Sequence, residues 1–519
     1  MSEAVLTNFY LNDPRIYKIA DRIVLSQSQK IHLKGLAGSS SQFIVNGVFK
    51  HPVASQVNHL VILKDAEEAA YFHNTLESIS NALNIFYFPS SFKNKKNYRL
   101  LNSSHVMLRT ECLTKFSNPL SINRTGIIIT YPEALFEKVV LSKILAANII
   151  SLKQGETIDV DNMLEKFVGY GFERTDFVYE PGQFAIRGGI IDIYSFGNEK
   201  PYRVELFGNE IDSIRIFDPE NQLSERKLLQ VNIIPNVETQ FDDGEKVSLL
   251  NFLPDNTAVW MEDWEFIKEK LEQQEDDLEI FFEVEKLNTL PGTKNRQHED
   301  DELNEKIKVN ANDFVTASVF EDQVNERHVI EFGNKSYFGK QAQGNLTETF
   351  NTKPQPAFNR QFNLLIQNLK ELEQKKYDIY LFADNPKQLE RLHSIFADLK
   401  AEIQFTPIPV SIHHGFIDDD LKLVCYTDHQ IFQRYHKYKV KQAFSKNKAL
   451  TLKTLRELQP GDFVTHIDHG VGVYSGLQKL DVNGRMQEAV RIVYKDSDLL
   501  YVNISSLHKI SKYSGKEGT

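Results

Sequence analysis

Short apolar runs alternate with helix-length stretches at the start of the chain: HLVIL (59–63), NIFYF (84–88) and GIIIT (126–130), with AEEAAYFHNTLESISNAL between the first two. Runs of this length, bounded by turn residues, predict buried parallel strands with crossover helices, and so an α/β domain over 1–135. Over 136–219 the period changes to two, as in FAIRGGIIDIY and YRVELFGNEIDSIRIF, with glycine at the turns. Strict alternation predicts a small, mainly antiparallel α+β domain. From 220 to 352 the pattern is mixed and continues the first α/β domain. Within it EDWEFIKEKLEQQEDDLEIFFEVEKL predicts an acidic helix and TLPGTKNRQHEDDELNEK a solvated loop.

KPQPAF (353–358) marks a boundary, because its prolines fix φ and disfavour helix before them. A second small α/β domain is expected over 353–433, with strands YDIYLFA and LKLVCYT and the helix NPKQLERLHSIFADL between them, Pro386 near its start. Residues 434–456 read as a basic linker. Over 457–519 four or five short alternating strands, broken by Gly and Asp, predict a small β-barrel of the Tudor or SH3 type. The fold class is therefore multidomain, α/β and α+β.

Composition narrows the function classes. A chain of 519 residues is too long for one core. Hydrophobic residues at 41% and charged residues at 25% exclude a disordered chain. No run reaches the roughly 18 apolar residues of a membrane span, and MSEAVLTNFYLNDPR lacks the order of a secretion signal, so a cytoplasmic protein with no membrane partner is expected. The only cysteines, Cys112 and Cys425, are far apart, which excludes a disulfide scaffold and a multi-thiolate zinc site. Sixty basic against 71 acidic side chains give a net charge of −11, which repels phosphate. The linker Arg434 to Arg456, with eight Lys/Arg and no acid, is the local exception.

Three groups of residues could carry chemistry. GLAGSSSQ (35–42) lies between a strand-like and a helix-like segment, where a phosphate-binding loop would sit. A working loop needs G-x-x-x-x-G-K-[ST], and the last three positions here are Ser40, Ser41 and Gln42. Gly35 and Gly38 remain, but the charge that neutralises triphosphate is missing, so the loop is expected to be structural. His413, His414 and His429 bracket a predicted strand near Asp418 and Cys425, and His466, His469 and His508 recur in the last domain. Their spacing forces no four-ligand convergence, so no metal site is assigned. No G-x-S-x-G elbow points to a Ser-His-Asp triad. In PYRVELFGNEI, Arg203, Glu205 and Phe207 share a strand face opposite Val204 and Leu206, with Arg174 and Arg187 nearby. Both a solvated sheet face and a protein-binding patch fit that mixture.

EPGQFAIRGGIIDIYSFGNEKPYRVELFGNEIDSIRIFD (180–218) resembles the second domain shared by the excinuclease component UvrB and the bacterial transcription-repair coupling factors. PGDFVTHIDHGVGVYSGL with LLYVNISSLHKISKY resembles the RNA polymerase-interacting, CarD-type module of the latter family, and SYFGKQAQGN (336–345) extends the likeness. The resemblance is to the N-terminal portion of the coupling factors, without their two translocase lobes. It implies a degenerate helicase-like first domain, non-enzymatic, whose short FYFPSSFKNKKNYRL replaces a damage-probing hairpin. ATP and magnesium, and most DNA contact, are expected only in the translocase part. The resemblance further implies binding of the excinuclease component UvrA through Arg174, Arg187, Arg203 and Glu205, on an exposed face where Ala185 replaces an arginine. It places Leu477, Lys479, Leu480 and Val482 against the RNA polymerase β subunit. The rival readings are a helicase-like ATPase with a diverged loop and a CarD-like transcription regulator; the zero net charge of 455–519 does not favour the latter.

Overall fold

The computed structural model describes residues 2–80, 84–94, 97–117, 125–219, 222–238, 246–288, 309–340, 345–436, 461–466, 469–482, 485–495, 498–503 and 510–512. The chain forms two compact units, Met1–Ala146 with Phe241–Val440 and Ala147–Gln240 with Lys441–Thr519.

In the first unit a seven-stranded sheet runs in the order Leu346–Thr349, Lys30–Lys34, Val329–Phe332, Thr257–Met261, Asn58–Ile62, Ile127–Thr130 and Ile85–Tyr87, every pair parallel. The three apolar runs of the opening segment are thus adjacent strands. Asn58–Ile62 and Ile127–Thr130 are buried along their whole length, as strands covered on both faces must be. The first domain is completed by Thr257–Met261 and Val329–Phe332, which enter its centre after the intervening unit. The acidic helix forms over Trp264–Asn288 and packs Trp264, Ile267, Leu271 and Leu278 inward. The loop expected after it lies outside the described residues. FYFPSSFKNKKNYRL begins in the strand Ile85–Tyr87, and its described remainder forms a two-stranded hairpin, Phe92–Asn94 with Asn97–Leu101.

A five-stranded mixed sheet follows, ordered Thr352–Pro354, Phe416–Asp418, Leu423–Thr427, Asp378–Phe382 and Thr406–Ile408. The helix Pro386–Asp398 starts on Pro386, with the Asn385 side chain accepting from the Lys387 amide. Helices Ser2–Leu11 and Pro14–Arg22 fasten this sheet: the Tyr10 hydroxyl donates to Asp418 at 3.1 Å, and Arg15 pairs with Asp13 and Asp420.

In the second unit a six-stranded sheet, antiparallel except at the edge pair Glu173–Arg174 with Gln183–Arg187, runs from Ser224–Leu228 to Glu173–Arg174. Val204, Phe184, Ile191 and Ile214 fill its inner face. Ser224–Leu228 belongs to this sheet and Gln230–Ile233 pairs with Ile150–Lys153, so the fold extends past residue 219.

The C-terminal residues form an antiparallel sheet ordered Leu499–Asn503, Arg485–Val493, Gly470–Val482, Phe463–His466 and Ile510–Lys512. Val464, Val490 and Ile492 form its core. The linker from 437 and His508 lie outside the described residues.

Candidate functional sites

The phosphate-loop frame is real in shape. Lys30–Lys34 leads through Gly35 (φ +75°) and Gly38 (φ +55°) into the helix Ser40–Lys50. Two of its amides are bonded to protein groups. The Ser39 amide donates to the His414 carbonyl at 3.0 Å, and the Ser39 hydroxyl accepts from the His414 amide at 3.1 Å. The Ala37 amide goes to Thr352 Oγ1 at 2.7 Å. A Cβ at Gly38 would stand 2.6 Å from the Gly415 carbonyl oxygen, so backbone approaches backbone where only glycine fits. The loop lacks its lysine, and its amides also hold the second α/β domain in place of a phosphate.

Beside this joint the structure gathers histidines that the sequence spacing did not bring together. The His413 ring stacks on Tyr71 at 3.6 Å, and its Nδ1 lies 3.2 Å from Nδ1 of His436. His436 stacks on His429, whose Nε2 meets the His413 carbonyl at 2.8 Å. His414 stands edge-on to His413. Sequence reasoning missed His436 and Tyr71, because only the fold juxtaposes them. Asp418 and Cys425 are engaged elsewhere or buried. Among the described residues no three His, Cys, Asp or Glu side chains are arranged to hold a metal ion.

Burial pushes these imidazoles down, His413 to about 3 and His429 to about 4, and His414 and His436 in the same direction. His59, buried against Trp260, is lowered to about 3 by the same cause. A folded-state pKa below the unfolded value of about 6.5 means that the unfolded chain binds more protons as pH falls. Stability of the first unit is therefore expected to be full above about pH 6.5 and to decline toward pH 4. For a fully buried imidazole such as His59 the slope is on the order of 1.4 kcal/mol per pH unit. Urea midpoints between pH 7 and pH 5, where few carboxylates titrate, measure this. A flat profile, or one unchanged in His429→Gln and His59→Gln, refutes it.

In the sheet of residues 173–228 the charged face is organised by an aspartate. Asp192 is fully buried on the strand Ile190–Ile193 and lies opposite Arg203 and Ala185 in register. Arg203 makes a two-pronged contact to it, Nε to Oδ1 at 2.7 Å and Nη2 to Oδ2 at 2.9 Å, and donates to the Gln222 carbonyl at 3.1 Å. Arg187 completes the cluster through Asp192 Oδ2. The two guanidinium groups lie over Phe217 and Phe177. Glu205 accepts from Arg215 at 2.8 Å and from the Ser213 hydroxyl at 2.7 Å.

This geometry corrects the expectation of a uniformly exposed patch. The Arg203 side chain is 15% exposed and is committed to a buried carboxylate, whereas that of Arg187 is 37% exposed. Arg174 is open to solvent, and Phe207, at the end of its strand, is 84% exposed. Ala185 is buried with Val178, Tyr194 and Phe217. Asp192 was missed, although one charge inside GGIIDIY was a readable sign of a buried ion pair.

On the strand Gly470–Val482, the backbone of Leu477, Lys479, Leu480 and Val482 pairs with Val490, Glu488, Gln487 and Arg485. The side chains of these four residues lie outside the described part. On its other side, the strand Gly470–Val482 is paired by Phe463–His466 over Gly470–Val473 alone. Among the described residues, Leu477–Val482 therefore has a strand on one side only.

Comparison with known proteins matches both modules. The family described as the UvrB interaction domain matches residues 150–238, and that described as the CarD-like/TRCF RID domain matches residues 458–514. Curated relatives include the transcription-repair-coupling factor of Bacillus subtilis (strain 168), 24% identical across 94% of this chain and 45% of the relative. That of Staphylococcus haemolyticus (strain JCSC1435) is 23% identical across 99% and 47%. That of Staphylococcus epidermidis (strain ATCC 12228 / FDA PCI 1200) is 26% identical across 71% and 36%. The chain spans about half the length of the first two relatives and resembles their N-terminal portion.

Proposed function

We propose that this chain is an adaptor of transcription-coupled DNA repair, holding stalled RNA polymerase through the C-terminal sheet and recruiting UvrA for nucleotide excision repair through residues 150–238. The observation that carries the reading is that both matched modules occur on one chain. A CarD-like regulator alone would not account for residues 150–238. The polymerase contact is assigned to Leu477, Lys479, Leu480 and Val482, in a sheet read as a small barrel, with the β subunit as their partner. The UvrA contact is assigned to Arg174, Arg187 and Glu205, with Arg203 supporting them from beneath. The setting is cytoplasmic; among the described residues no helix is long and apolar enough to cross a membrane.

The test is capture of purified UvrA and of RNA polymerase on the immobilised full chain. Both are expected to bind, and Arg187→Ala is expected to weaken UvrA capture about thirtyfold or more while sparing polymerase, since a lost arginine at a charged interface costs ~2–5 kcal/mol. Capture of neither partner defeats the reading.

These residues are proposed to turn over no ATP. ATP, magnesium and translocation on DNA are assigned to the translocase part of the longer relatives. A triphosphate would find the Ala37 and Ser39 amides already bonded and no lysine at position 41. Titration with a fluorescent ATP analogue is expected to show no magnesium-dependent saturation, for the natural sequence and for Ser41→Lys. Saturable binding would favour the helicase-like ATPase.

A further inference from the structure

A cavity of about 360 Å³ opens against the loop, whose Gly38, Ser41 and Gln42 line it, at the C-terminal ends of Lys30–Lys34, Asn58–Ile62, Thr257–Met261 and Val329–Phe332. Ligands enter open α/β sheets at this end, and the volume suits a small molecule. Leu36, Leu63, Phe72 and Phe332 give it apolar walls. Its charged lining is Asp65, Glu67, Glu68 and Glu262 against Lys64 alone, four carboxylates to one ammonium. Lys64 is already paired with Glu68 at 3.5 Å. Asp65 accepts from the Glu68 amide at 2.9 Å, at the start of the helix Ala66–Ser80. Glu67 and Glu262 are exposed and Asp65 and Glu68 half-buried; partial desolvation, and then Glu68, push the Glu262 carboxyl up.

Gln42 is an independent sign. It lines the cavity while only 7% exposed, and its one partner is the Ser41 hydroxyl, 3.0 Å from Oε1. The other end of the amide has no protein partner among the described residues. Because the two ends can exchange within that contact, the amide can offer the cavity an acceptor or a donor.

We propose that this cavity binds a small free organic cation, an amine or guanidinium on a short aliphatic chain. The carboxylates meet the charged ends and the apolar walls cover the methylenes. His413 and His414, also in the lining, stay neutral near pH 7 and do not oppose a cation.

The probes are spermidine and agmatine, titrated calorimetrically into the full chain, with magnesium–ATP as the anionic control. One saturable site is expected for a probe cation and none for ATP. Glu262→Gln combined with Glu67→Gln is expected to weaken binding about tenfold or more, since each removes a unit charge from a partly enclosed site. The same neutralisation on the acidic helix, Glu279→Gln with Glu283→Gln, controls for general attraction to a chain of charge −11 and is expected to change nothing. Equal loss in both pairs, unsaturable binding, or no binding by either cation overturns the proposal. Both double variants are first checked for an unchanged melting transition.

Discussion

Arg203→Ala is expected to unfold the sheet of residues 173–228 well before it reveals anything about a partner. The substitution leaves Asp192 fully buried with Arg187 as its remaining cation, and Arg187 also faces solvent. Breaking a buried ion pair from one side costs ~3–5 kcal/mol, because the remaining charge has lost both water and its counter-charge. For a domain of this size that corresponds to a fall on the order of 10–30 °C in its melting transition. Arg203→Glu should be worse, since it sets two carboxylates against each other. Arg174→Ala, at an exposed position, should stay within about 0.5 kcal/mol of the unchanged protein. Arg187→Ala should fall between them. Calorimetric melting of the series measures this order. If Arg203→Ala melts with the unchanged chain, Asp192 does not depend on it and Arg203 is free to act as a contact residue. Lost UvrA binding in an Arg203 variant is therefore no proof of contact, whereas the same loss in Arg174 or Arg187 variants with normal melting is.

The difference between these arginines shows where sequence patterning stops. Alternation in PYRVELF correctly places Arg203 and Glu205 opposite Val204, because side-chain direction in a strand is a local property. It cannot tell an open face from one covered by Phe177, Phe217 and the Gln222 loop, which arrive from other segments. The continuous runs at 59–63, 84–88, 126–130, 377–383 and 421–427 were legible as strands for the same local reason. TAVWM (257–261) and VIEF (329–332) are as short and apolar, but their place in the centre of the first sheet depends on pairing with segments up to about three hundred residues away in sequence. The missing lysine of GLAGSSSQ was legible by inspection. The peptide that bonds to the loop, His414–Gly415, lies 375 residues beyond Ser39, and no motif predicts that contact.

Leu480→Arg is expected to abolish capture of RNA polymerase while leaving UvrA capture intact. The strand Gly470–Val482 changes register between Tyr474 and Leu477, where Gly476 holds φ +97°, a conformation that side chains rarely adopt. Beyond that irregularity the backbone of Leu477–Val482 is paired on one side, with Arg485–Val490, and among the described residues no strand takes the other. An unpaired edge of five or six residues is a template for strand addition: backbone hydrogen bonds supply affinity and one or two apolar side chains fix the register. In the proposed polymerase contact Leu480 is that anchor, and replacing a central apolar anchor with a charge costs ~2 kcal/mol or more, about thirtyfold in affinity. The two captures are run on the same purified variant after its melting has been recorded. Polymerase binding that survives moves the contact away from this edge. Loss of both partners with a lowered melting transition makes Leu480 a core residue of the sheet. Loss of polymerase alone, with normal melting, is the outcome that the open edge predicts, and it would show that the two recruiting modules act through separate surfaces.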